Sequence, residues 1–136
     1  FDYILLDKTA RGKCASALIV TEPYAASLKI SDCCKAKLSD GGIKDIGLIV
    51  NKLNGGQILN GDVMTAQEIA SLLRIPLKAV IPEDLGVPLG RWRKSTLKAF
   101  KAAADTVSGK REAVCNVIRP YLGINGYFKR KVRERI

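Results

Sequence analysis

Asp45-Ile46-Gly47-Leu48-Ile49-Val50-Asn51 is the stretch that decides the fold. Its apolar run is short, continuous and rich in β-branched residues, the pattern of a strand buried on both faces. Similar runs lie on either side. Ala15-Ser16-Ala17-Leu18-Ile19-Val20-Thr21 is stopped by Glu22-Pro23, and Leu77-Lys78-Ala79-Val80-Ile81 is ended by Pro82. Phe1-Asp2-Tyr3-Ile4-Leu5-Leu6-Asp7 reads as a further buried strand that ends in a carboxylate.

Helical patterns separate these strands. Residues 26–38 carry Ala26, Ile30, Cys33, Cys34 and Leu38 at helical spacing, and Gly41-Gly42 ends that helix. A Gly/Asn-rich loop is expected from Asn54 to Gly61. Thr65-Ala66-Gln67-Glu68 is a capping box, in which hydroxyl and carboxylate each satisfy a backbone donor of the first turn. The helix it opens runs through Ile69, Ala70, Leu72 and Leu73. A long helix is expected over residues 95–119, with Leu97, Phe100, Ala103, Ala104, Val107, Val114 and Ile118 on its apolar face and a weak point at Ser108-Gly109.

Strands alternating with helices imply right-handed crossovers and a parallel sheet. The expected fold class is therefore α/β, a partial parallel sheet flanked by helices. Ligands of such sheets sit at the carboxyl ends of the strands. Three of these ends are polar, at Asp7, Asn51 and Pro82-Glu83-Asp84, although strand ends are also polar simply where they meet solvent.

Composition limits the function classes. Hydrophobic residues make up 47% of the 136, enough for one domain with a core and too many for a chain disordered throughout. No run approaches the roughly 18 apolar residues of a membrane span. The chain opens at Phe1 without a Met or an apolar leader, as a processed chain or a fragment would. Cys14, Cys33, Cys34 and Cys115 show no Cys-x-x-Cys spacing, and histidine is absent, which argues against zinc and removes the commonest general base. Reduced thiols are expected.

The net charge of +10 falls entirely on residues 91–136, residues 1–90 being neutral overall. A neutral body with a basic end points to a polyanionic partner. Ile124, Phe128, Val132 and Ile136 fall at i+4 spacing, with Tyr127 beside Phe128. Lys129, Arg130, Lys131, Arg133 and Arg135 fill the remainder of that helix, opposed only by Glu134. Its stripe is too thin for a core helix and too apolar for a solvated tail, which is the composition of an interfacial helix on an anionic membrane. Such a short helix binds reversibly, so firm attachment would need a second copy, for instance in a homodimer. The apolar stripe counts against a nucleic-acid tail. The division expected is a body over 1–120 and a linker with a membrane-targeting helix over 121–136.

The strand ending at Asp7 fits a Walker B position, which holds Mg²⁺ or its water and demands a Gly-rich phosphate loop with Lys. Gly41-Gly42 and Gly55-Gly56 lack the trailing Lys-Ser/Thr, and Arg11-Gly12-Lys13 is glycine-poor.

Taken in order, Phe1–Asp7, Leu18-Ile19-Val20-Thr21-Glu22-Pro23, Leu48-Ile49-Val50-Asn51-Lys52, Ile75-Pro76-Leu77, Val80-Ile81-Pro82-Glu83-Asp84 and Gly126-Tyr127-Phe128-Lys129-Arg130 resemble the second half of the MinD/ParA group of deviant P-loop ATPases. The resemblance implies half of a P-loop NTPase fold and, in the whole protein, use of ATP and Mg²⁺. It assigns Asp7 as the Walker B-like carboxylate, Asn51 as an adenine contact, Pro82 and Glu83 as part of the wall beside the base, and Tyr127–Ile136 as the membrane-targeting helix. Division-site members of the group sit peripherally on the inner face of the bacterial cell membrane and recruit MinC, and MinE stimulates their hydrolysis. The resemblance also admits a ParA-like partition protein gripping DNA through the basic third, and the residues alone admit a non-catalytic interaction domain. Two departures stand out. A parallel crossover takes a dozen or more residues, and roughly eight separate Asp7 from the next strand. Ile30 stands where the group carries an acidic residue. Without the phosphate loop, this chain alone is expected to bind nucleotide poorly, if at all, and to hydrolyse nothing.

Overall fold

The computed structural model describes residues 14–110 and 114–123. Three strands, β1 (Ser16–Thr21), β2 (Asp45–Leu53) and β3 (Leu77–Pro82), form one parallel sheet in the order β1-β2-β3. Between β1 and β2 lies α1 (Ala25–Asp40). Between β2 and β3 lie α2 (Gly55–Asn60) and α3 (Ala66–Leu73), and α4 (Lys94–Val107) follows β3.

The period-2 alternation of the strands divides the core between two faces. On one face Ile19, Ile46, Leu48, Val50 and Val80 meet Leu28 of α1 and Ile69 and Leu73 of α3. On the other, Ala79 and Ile81 meet Ala99 and Ala103 of α4, with Ile49 beside them. The small residues of α4 let it lie close over β3. Helix α3 opens on the capping box read from the sequence: Glu68 N–H donates to Thr65 Oγ1 over 3.2 Å, and Thr65 N–H donates to Glu68 Oε2 over 2.7 Å.

Three expectations are corrected. Residues 54–61 are not a loop, because Asn54 caps α2 by accepting from Gly56 N–H, and Gly61, at φ 81°, closes it in the left-handed region. The buried face of α1 is Leu28 and Ser31, not Ala26, Ile30, Cys33 and Cys34; Ile30 is 64% exposed. Ser31 can be buried because its hydroxyl donates to Ser27 O, and Lys35, one turn further, donates to Leu73 O at the end of α3. The long helix ends at Val107, since Gly109 at φ 71° turns the chain out of it. Within α4 the residues against the sheet are Thr96, Ala99 and Ala103, while Leu97 and Phe100 are exposed, the Phe100 ring meeting Trp92 at a tilt of 59°.

Candidate functional site

The carboxyl ends of β2 and β3 open into a cleft of about 770 Å³. Leu53, Pro82, Val117 and Tyr121 give it apolar walls, and Asn54 and Glu83 supply polar groups.

Local sequence builds each wall. Glu83 N–H donates to Leu53 O, which carries the parallel ladder one step past β3 and sets the Glu83 side chain beside Asn54. Asn54 then bridges two elements: its Oδ1 accepts from Gly56 N–H at the start of α2, and its Nδ2 donates to Glu83 Oε2 over 2.7 Å. The far wall comes from residues 115–121. It approaches so closely that a Cβ at Gly55 would overlap Val117 O and lie 2.8 Å from Tyr121 Cδ2, so only glycine fits there.

The turn after β3 is held by Asp84. Its Oδ2 accepts from Arg93 N–H over 3.0 Å and from the Thr96 hydroxyl over 2.7 Å, while its Oδ1 accepts from Gly86 N–H. These bonds, the Arg93 amide first, hold the carboxyl below the ordinary carboxylate range. The result is a closed connection that presents Arg93 and Thr96 to the cleft. Outside the cleft lining, Lys52 pairs with Glu22 over 2.6 Å, tying the end of β2 to the segment after β1, and this pairing raises the Lys52 pKa.

Of the residues read from the sequence, Pro82 and Glu83 line the cleft. Asn51 lies on β2 outside the cleft lining. Between Val50↔Val80 and Leu53↔Pro82 the register shifts by one residue, and Lys52 takes φ 54° to absorb it. Asn51 Oδ1 accepts the Lys52 N–H within this bulge. Asp7 and the helix from Ile124 to Ile136 lie outside the described residues. Asn54 and Thr96 join the cleft lining without being marked by the strand-end pattern, and the holding role of Asp84 is not visible in it. An Asn before Gly-Gly was a legible cap signal, whereas the partners of Asp84 lie nine and twelve residues away in sequence and meet it only in the fold.

The cleft combines apolar walls with a few fixed polar groups, the make-up of a small-molecule site. It does not suit phosphates at α2, because Asn54 Oδ1 already takes the Gly56 and Gln57 amides, the donors an anion would use. Among the described residues no group of three Cys, Asp or Glu comes together to hold a metal ion, and no helix is long and apolar enough to cross a membrane.

No family model matches the chain. Individual proteins do. A septum site-determining MinD-type protein of Oltmannsiellopsis viridis is 31% identical over 91% of this chain and 45% of its own length. The chloroplastic minD homologue of Arabidopsis thaliana is 34% identical over 65% of this chain and 30% of its own. Among solved structures, the MinD cell division protein of Aquifex aeolicus matches with a TM-score of 0.66 and 19% identity, over 73% of this chain and 46% of that one. A MinC:MinD complex from the same organism matches with a TM-score of 0.63 at 19% identity, over 71% of this chain and 43% of that one. The chain thus spans about half the length of the curated relatives it matches. Its three-stranded parallel sheet with flanking helices is part of the P-loop NTPase fold of those neighbours, and the chain belongs to the MinD-like proteins of the MinD/ParA family.

Proposed function

We propose that the chain forms the base-binding and membrane-attaching part of a MinD-like ATPase that takes part in placing the division septum. The observation that carries this reading is the cleft at the carboxyl ends of β2 and β3, where Glu83 is held by Asn54 against apolar walls. In this reading Pro82 and Glu83 face the adenine of ATP. The phosphates and Mg²⁺ are held by a Gly-rich Lys loop that these 136 residues do not contain, together with Asp7. ATP bound to the assembled protein supplies the γ-phosphate for hydrolysis; the residues described here bind and orient the base. Residues 1–120 make the nucleotide-binding body. Residues 121–136 carry the helix whose apolar residues Ile124, Phe128, Val132 and Ile136 enter an anionic leaflet, with Lys129 to Arg135 at the headgroups. MinC, MinE and a second copy of the protein are the proposed partners, at the inner face of the cell membrane.

Two measurements test this reading. The chain should pellet with phosphatidylglycerol-containing vesicles, and Phe128→Asp should abolish pelleting. If Phe128→Asp leaves it unchanged while DNA gel shifts fall steeply with salt, the partition-protein reading replaces this one. A fluorescent adenine nucleotide should bind weakly to the wild-type chain and more weakly still to Glu83→Ala. Equal binding of the two would remove the cleft from the argument.

A further inference from the structure

Of the 13 Lys and Arg in residues 91–136, five fall in the terminal segment, at 129, 130, 131, 133 and 135, and eight precede it. Five of those eight, Arg91, Arg93, Lys94, Lys98 and Lys101, lie within residues 85–104, a stretch without an Asp or Glu. All five are exposed. Arg93 sits 3.6 Å from Asp84, and the other four make no ion pair with a described residue.

The fold sorts this stretch into one outward surface. Thr96, Ala99 and Ala103 of α4 turn toward the sheet. Lys94, Leu97, Lys98 and Lys101 follow one another at i, i+3, i+4 and i+7, which sets them together on the opposite side of the helix. The turn before α4 adds apolar groups. Leu85 is 75% exposed and Leu89 72%, with Trp92 half-exposed against Phe100. This turn is held closed: Asp84 gathers Gly86 N–H, Arg93 N–H and the Thr96 hydroxyl, and Arg91 N–H donates to Gly86 O over 2.9 Å. The leucines are therefore carried on a fixed loop, and little ordering entropy is lost when they enter another phase. One exposed leucine carries no meaning by itself. Two leucines and a tryptophan within residues 85–92, with Arg91 among them and three lysines on the adjoining helix face, match the layering of a bilayer surface. Leucines reach the acyl boundary, tryptophan favours the headgroup level, and lysine stems lie along apolar surface with their ammonium groups at phosphates.

We infer that the turn at 85–92 and the outward face of α4 form a second membrane contact, on the folded body, for an anionic lipid bilayer. It rests on the membrane reading of residues 121–136 and adds a surface that this reading does not use. The two contacts are neighbours, because Pro120 and Tyr121, which lead to the terminal segment, line the same cleft as Arg93 and Ser95. Both can meet one leaflet at once, so the second binds at the high effective concentration that a short linker sets. One copy of the chain thereby carries the two attachments that firm binding requires. A nucleic-acid partner fits less well, since phosphate contacts call for cations and leave the tips of Leu85 and Leu89 in water.

Trp92 is the only tryptophan of the chain, so its emission reports on this turn alone. With vesicles of phosphatidylcholine and phosphatidylglycerol, the emission of the full chain should shift to the blue and be quenched by brominated acyl chains; phosphatidylcholine alone should do neither. Leu89→Asp should weaken vesicle binding at least about tenfold and leave the unfolding midpoint unchanged, the side chain being exposed. Replacing Lys94, Lys98 and Lys101 together by Gln should weaken it on the order of a hundredfold, at roughly fivefold per cation. Leu72→Asp, exposed on α3 across the sheet, should change nothing. The inference is overturned if vesicles leave Trp92 emission unchanged; pelleting without a shift would make the terminal helix the whole contact and leave the functional reading intact. It is equally overturned if Leu89→Asp binds vesicles like the wild type, or if an oligonucleotide shifts the emission and vesicles do not. A Phe128→Asp chain that still pellets with Trp92 shifted would instead remove the terminal helix from the functional reading and leave this surface standing.

Discussion

Replacing Gly55 by Ala sets two effects of opposite sign against each other. Gly55 opens α2, where Ala is favoured over Gly by up to about 1 kcal/mol on helix propensity. Against that, the added Cβ would overlap Val117 O and lie 2.9 Å from Val117 C and 2.8 Å from Tyr121 Cδ2. Carbon atoms settle about 3.5–4.0 Å apart, so the opposing segment must retreat by roughly 0.7 Å or more. Two of the three atoms met are backbone, which cannot rotate aside as a side chain would. Overpacking of this kind costs about 1–3 kcal/mol, and close contact with two backbone atoms of Val117 sets the cost at the upper end, so sterics win by about 2 kcal/mol. With a urea slope of about 1–3 kcal/mol/M for a chain of this size, the unfolding midpoint should fall by about 0.7–2 M. Gly56→Ala is the control, since its Cβ would meet nothing closer than 3.2 Å, and it should lose less. Because Val117 and Tyr121 also wall the cleft, Gly55→Ala should weaken adenine-nucleotide binding by more than its stability loss alone explains. A midpoint that stays put or rises for Gly55→Ala would show that residues 115–121 do not press on α2, and the cleft would lose its far wall.

Packing and capping elsewhere in the fold set further expectations. Ile69→Ala removes a fully buried side chain between α3 and the sheet and should cost about 2–5 kcal/mol by urea titration, far more than Leu72→Ala on the exposed side of the same helix. Thr65→Ala should cost about 1 kcal/mol by breaking the capping box. Asp84 is held below the ordinary carboxylate range, so the unfolded chain protonates it first: its contribution is intact above about pH 4 and disappears as pH falls through the folded value. Asp84→Asn should accordingly flatten the acid side of the stability–pH curve, and an unchanged acid limb would show that the bonds from Arg93 and Thr96 do not form.

The sequence alone determined the three strands, the capped α3 and the α/β class, because each rests on local pattern: short apolar runs, a Thr-x-x-Glu box, and breaks at Pro and Gly. It also placed Pro82 and Glu83 at a strand end, which the structure sets in the lining of a cleft, and carried the order of motifs that marks the family. Faces of helices were decided only in three dimensions. In α1 the stripe through Ala26, Ile30 and Cys33 looked at least as apolar as the one through Leu28 and Ser31, yet the sheet took the latter, because a serine that bonds its own helix and a lysine that reaches the end of α3 leave no polar group unsatisfied. In α4 the large residues Leu97 and Phe100 were the natural core choice, but a helix lying close over β3 needs Ala99 and Ala103. The Asn54–Glu83 bridge and the bonds of Asp84 to Arg93 and Thr96 join residues distant in sequence, and periodicity carries no information about such pairs. Only the assembled sheet shows that Leu18 and Val20 of β1 stay exposed while Ile19 and Thr21, which alternate with them, are buried.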